Sequence, residues 1–114
     1  MILWHNPRCS KSRQALALIE SHGHRPKIRA YLHDAPSEDE IRGVLASLRL
    51  APIGMMRRSE KRFAELGLSA QSEPDTLIAA MAENPILIER PILIVGSRAA
   101  IGRPVENLLP LLTD

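Results

Sequence analysis

The apolar positions of this 114-residue chain alternate between short continuous runs and helical stripes. Ile2-Leu3-Trp4 reads as a short buried strand, and across residues 10–22 Ala15, Leu16, Leu18 and Ile19 recur at helical spacing until Gly23 stops them. Residues 27–32 then alternate, with Ile28, Ala30 and Leu32 on one face and Arg29 and Tyr31 on the other, which predicts a second strand. A βαβ unit with a parallel strand pair is the simplest joining of these three elements.

Asp34-Ala35-Pro36 breaks the pattern. Ser37, followed three residues later by Glu40, is a capping-box signature ahead of Ile41, Val44, Leu45 and Leu48 at helical spacing. Pro52 ends or redirects this helix, and residues 53–66 read as one or two short helices broken near Arg57-Arg58-Ser59. Glu73-Pro74-Asp75 opens a further helix through Leu77, Ile78 and Met81, which stops at Asn84-Pro85. Two apolar runs come next, Ile86-Leu87-Ile88 and Ile92-Leu93-Ile94-Val95, joined tightly through Glu89-Arg90-Pro91 in the manner of a hairpin. Gly96-Ser97-Arg98 reads as a turn and Ala100-Ile101-Gly102 as a last strand. Pro104 suits the first turn of a closing helix whose Val105, Leu108, Leu109 and Leu112 would cover the sheet.

The order βαβ, helices, ββα predicts an α/β fold: a small mixed β-sheet flanked by helices, arranged as in the thioredoxin-like fold with a helical insertion in its middle. The length predicts a single domain over residues 1–114. Met1-Ile2-Leu3-Trp4-His5 is too short and too quickly polar for a secretory signal or a membrane span. One cysteine cannot form an internal disulfide, so a cytoplasmic location and no membrane partner are expected. Fifteen basic residues against 13 acidic ones leave a formal charge of only +2, and Trp4, Tyr31 and Phe63 are the only aromatic residues. Neither bulk charge nor a stacking platform therefore argues for nucleic acid.

The candidate chemistry centres on Cys9, where the first strand gives way to a helix in Trp4-His5-Asn6-Pro7-Arg8-Cys9-Ser10-Lys11-Ser12-Arg13. Free N–H groups at a helix start and nearby cations both favour thiolate over thiol, so a reactive nucleophile is expected. His5 stands where an imidazole could hydrogen-bond or electrostatically support that thiolate, or could be a solvated strand-end histidine. Ser12 occupies the place that would complete Cys-x-x-Cys, which excludes dithiol exchange through that motif. Ser10 and Ser12 suit helix capping or first-turn solvation at least as well as direct catalysis. Arg90, before Pro91, suggests a cis peptide that turns the guanidinium toward an anion beside Cys9; a turn residue paired with Glu89 is the other reading. Arg57 and Arg103 also sit at breaks between elements, and three guanidinium groups around a thiolate would bind a tetrahedral oxyanion. No second cysteine or tight His/carboxylate cluster supports a metal site.

The segment from His5 to Arg13 closely resembles the H-N-P-x-C-x-x-S-R signature of the ArsC-type arsenate reductases. The resemblance continues through Met56-Arg57-Arg58, Glu65-Leu66-Gly67-Leu68, Asn84-Pro85-Ile86-Leu87-Ile88-Glu89-Arg90-Pro91-Ile92 and Gly102-Arg103-Pro104, covering nearly the whole chain. It implies a thioredoxin-like fold and reduction of arsenate to arsenite, with glutathione and glutaredoxin as external reductants and no bound cofactor. It further implies that Cys9 is the nucleophile, that His5 helps to lower the cysteine pKa, and that Arg57, Arg90 and Arg103 bind arsenate. Cys-Ser-Lys-Ser is closest to the housekeeping branch of the family, since the resistance enzymes carry Gly-Thr where Ser10-Lys11 stands. Two other functions fit related patterns: an Spx-like adaptor that binds RNA polymerase, and a glutathione-dependent thiol oxidoreductase that needs Cys9 but not every arginine.

Overall fold

The structure, a computed structural model, describes residues 1–113. In chain order the elements are β1 (Ile2–Trp4), α1 (Ser10–Ser21), β2 (Lys27–Arg29), α2 (Glu38–Leu48), α3 (Lys61–Glu65), α4 (Pro74–Glu83), β3 (Ile92–Val95), β4 (Arg98–Ile101) and α5 (Leu109–Leu112). Short 3-10 turns cover Pro52–Met55, Pro85–Leu87 and Val105–Leu108. The chain gathers into two compact units, one of residues 1–34 with residues 90 onward, the other of residues 35–89.

The first unit holds a four-stranded sheet in the order β2-β1-β3-β4. β1 runs parallel to β2, with Leu3 opposite Ile28, and antiparallel to β3, with Leu3 opposite Leu93. β3 and β4 form an antiparallel hairpin, turned at Gly96 with φ of 60°, a left-handed conformation that glycine adopts without a Cβ clash. Leu3 and Leu93 meet Ala15 and Ile19 of α1 and Leu108, Leu111 and Leu112 of the C-terminal segment in one buried cluster. Burying side chains of this size stabilises the fold by roughly 1.5–3 kcal/mol each before the entropy of ordering them is counted. Trp4, next along β1, points to the opposite face and stacks on Tyr31 with ring centroids 6.4 Å apart.

This is the thioredoxin-like α/β arrangement with a helical segment between β2 and β3, and three details differ from the sequence pattern. β2 ends at Arg29, because the Arg29 carbonyl accepts from both His5 N at 3.0 Å and Tyr31 N at 2.9 Å and the chain turns there. Tyr31 is consequently buried, while Ile28, on the sheet edge, is 44% exposed. Residues 86–88 are not a strand: Pro85, without an N–H, opens a 3-10 turn, and Ile88 bridges Met56 within the second unit. The closing helix is divided into a 3-10 turn and α5, with Pro104 at the position before the turn rather than inside it.

In the second unit α2 packs on α4, burying Ile41, Val44 and Leu45 of one and Leu77, Ile78, Ala80 and Met81 of the other. The capping box is present: Glu40 N donates to Ser37 Oγ at 3.1 Å and Ser37 N donates to Glu40 Oε1 at 3.0 Å. Arg49, in the left-handed region at φ of 58°, ends the helix before Pro52 is reached. Ser37→Ala removes the side-chain half of the box and is expected to cost about 1 kcal/mol, read as a lower denaturant midpoint. An unchanged midpoint would show that the box carries no stability.

Candidate active site

Cys9 is the residue before the first turn of α1, in an extended conformation with φ of −94° and ψ of 122°. Its carbonyl accepts the helix-opening hydrogen bond from Arg13 N at 3.0 Å, while its own N–H donates back to Asn6 O at 3.0 Å. Asn6 Oδ1 accepts from Arg8 N at 3.0 Å, and Arg13 Nη1 donates to Pro7 O at 2.9 Å. The short loop between β1 and α1 is thus tied from both ends, as expected where Asn folds the chain by accepting from a backbone N–H two residues on. The Cys9 thiol is free and half-buried.

Arg103 reaches this sulfur from the segment after β4. Its Nη2 donates to Cys9 Sγ at 3.4 Å, and its Nε donates to the Arg90 carbonyl at 2.6 Å. The backbone at Arg90, where the peptide to Pro91 is cis as the sequence suggested, therefore aims the Arg103 guanidinium at the thiol. A cation held by a backbone carbonyl thus stands against the sulfur at the start of α1. Gly102 makes the approach possible: its N–H donates to Pro91 O at 2.8 Å, and a Cβ there would stand 2.9 Å from Pro91 Cγ.

His5 is buried at the end of β1, with 7% of its surface exposed. Its Nδ1 lies 2.6 Å from Ser12 Oγ, which also accepts from Asn6 N at 3.0 Å. The Ser12 hydroxyl, with one proton and two lone pairs, bridges the Asn6 N–H and the His5 ring. Burial pushes the His5 pKa below 6.5, and the nearby Arg13 guanidinium pushes it the same way. Both effects disfavour the imidazolium, and the ring reaches the loop through its contact with Ser12. Ser12 itself is fully buried and does not cap α1, whose N-terminus has no side-chain cap. The capping reading of this residue gives way to a tertiary role.

Of the residues the sequence singled out, the structure brings together Cys9, the Arg103 guanidinium and the Arg90 backbone, with the Arg90 side chain half-buried. Arg57 belongs to the second unit, where Glu60 and Glu89 flank it: Nη1 pairs with Glu60, and Nε lies 3.7 Å from Glu89. Arg57 is half-buried, whereas its neighbour Arg58 is exposed. The close approach at Gly102 and the bridging role of Ser12 were not evident from the sequence, although both residues lie inside the motifs that carry Arg103 and Cys9. Among the described residues, no group of three or more His, Cys, Asp or Glu is placed to hold a metal ion, and no helix is long and apolar enough to cross a membrane.

The model of the ArsC family matches residues 4–111. An arsenate reductase of Neisseria meningitidis is 43% identical over 108 residues, covering 93% of this chain and 92% of that protein. One from Haemophilus influenzae is 40% identical over 117 residues, covering 98% of each. The solved structure of an arsenate reductase from Vibrio cholerae superposes with a TM-score of 0.91 at 44% identity, covering 96% of this chain and 94% of that one.

Gly102→Ala is expected to force Pro91 or Leu108 aside and to lower stability by about 1–3 kcal/mol in chemical denaturation. A wild-type midpoint would mean that this close approach is not a constraint. His5 adds a pH dependence whose sign follows from its depressed pKa. Below 6.5 the unfolded chain takes up the proton first, so the contribution present above that value is lost as pH falls through the folded-state pKa. Thermal unfolding on acidification through this window should destabilise the wild type more than His5→Gln; parallel losses would rule out His5 as the source.

Proposed function

The chain belongs to the ArsC family, and on that premise we propose that it reduces arsenate to arsenite, with Cys9 as the nucleophile and with glutathione and glutaredoxin as external reductants. The observation that carries this reading is the Arg103 guanidinium donating to the one thiol in the chain at 3.4 Å. A cation beside a nucleophilic sulfur serves twice: it favours the charged attacking form, and it then lies next to the oxygens on which charge builds.

In the proposed reaction the Cys9 thiolate attacks arsenic, an As–S bond forms, and one arsenate oxygen leaves as water after taking up protons. Arg103 and Arg90, with Arg57 added on the family resemblance, bind the remaining oxygens through charged, planar donors. A glutathione thiol then attacks the adduct, and glutaredoxin resolves the glutathione-bearing intermediate. Over the cycle, two thiol groups lose their protons and one electron each to become a disulfide. Arsenic gains those two electrons, and arsenite and water depart. With a single cysteine in the chain, both reducing thiols come from outside.

The test is an assay supplying arsenate, glutathione and glutaredoxin to the folded wild type, Cys9→Ser and Arg103→Ala. Cys9→Ser is expected to abolish arsenite formation, and Arg103→Ala to lower kcat/KM by about 10²–10³-fold, as for loss of one oxyanion-stabilising donor. No arsenite from the wild type, or full activity without the Cys9 sulfur, would end the proposal.

A further inference from the structure

A cavity of about 230 Å3 opens beside the Cys9 loop, lined by His5, Asn6, Pro7 and Arg8 from that loop and by Ala30, Leu32 and His33 from the turn after β2. We infer that it seats the carrier of the reducing thiol, a small carboxylate-bearing peptide thiol of the glutathione class, an inference that rests on the function proposed above.

Position is the first reason. Arg8 is bonded directly to Cys9, so an occupant lying against Arg8 is one residue from the nucleophile, about 3.8 Å along the chain between Cα atoms. The second is that both walls are already ordered. Asn6 is held by Ser12 and itself holds the backbone of Arg8 and Cys9, while the Ala30 carbonyl accepts from His33 N and Asp34 N, each at 2.9 Å. A preformed cavity spares the ligand the entropy of organising one.

Chemistry is the third. Pro7, Ala30 and Leu32 offer apolar contact, Asn6 and His33 offer polar groups, and Arg8 offers a permanent positive charge. Arg13 adds a second guanidinium to the loop, fixed on Pro7 O at 2.9 Å. The lining contains no carboxylate, and adjacent Asp34 is taken up by Arg29 Nε at 2.9 Å. The balance favours an anionic ligand with some apolar surface over a cationic one. The volume falls short of the roughly 300–1,000 Å3 of sites that enclose a whole ligand, so one end of a tripeptide fits while its thiol extends toward Cys9.

S-Methylglutathione, whose sulfur is blocked, tests binding without turnover. Titrated into the full-length protein and followed by amide NMR, it should shift residues 5–8 and 30–33. Arg8→Glu, which reverses a charge-assisted contact, and, separately, His33→Glu, which sets a carboxylate in the lining, should each weaken its affinity by roughly tenfold. In turnover, Arg8→Glu should raise the KM for glutathione more than that for arsenate. Absent shifts, shifts confined to other residues, or wild-type affinity in both variants would overturn the assignment. Arsenate reduction by glutathione without these shifts would overturn this inference alone. Binding here by a protein that does not reduce arsenate would overturn the proposed function and leave the binding site standing.

Discussion

One buried hydroxyl governs how β1 hands the chain to α1. Ser12 Oγ accepts the Asn6 N–H and hydrogen-bonds His5 Nδ1, and Asn6 in turn takes the Cys9 N–H on its carbonyl. A buried donor or acceptor left without its partner costs about 1–3 kcal/mol, so these groups hold one another to a single arrangement. The position of the thiol at the mouth of the helix is a product of that closed circuit. Side chains without a hydrogen bond to the sulfur therefore fix its place, while Arg103 meets it directly.

Where local physics decides the structure, the sequence was legible. The Ser37 and Glu40 box sets the start of α2 without help from elsewhere, and the Ala15 and Ile19 stripe points α1 at the sheet. Where a distant partner decides it, periodicity misled. Alternation through residues 27–32 is a real pattern, but two donors converging on the Arg29 carbonyl bend the chain, and stacking on Trp4 draws Tyr31 inward. Ile86 to Ile88 is apolar for the second unit, where Ile88 meets Met56, and not for the sheet.

The site divides along the same line. Cys9 stood out as the one cysteine ahead of a helix, whereas the family resemblance singled out Arg103 from many arginines; the structure brings the two side chains together. His5 was readable as a participant but not in its protonation state, because burial is a property of the folded surroundings. Gly102 could not be ranked above other glycines until Pro91 was seen against it. The Arg57 pairing with Glu60 and Glu89 likewise depends on a turn and a chain return that spacing alone does not specify.

Ser12 also sets a limit on what this scaffold can become. A thiol in its place would bring a second sulfur three residues from the first, yet sulfur is a larger atom and a poorer acceptor than the oxygen on which His5 and Asn6 converge. A second thiol and a well-tied loop thus compete for one position. The hydroxyl keeps the loop, and the fold thereby forgoes a Cys-x-x-Cys pair at the mouth of α1.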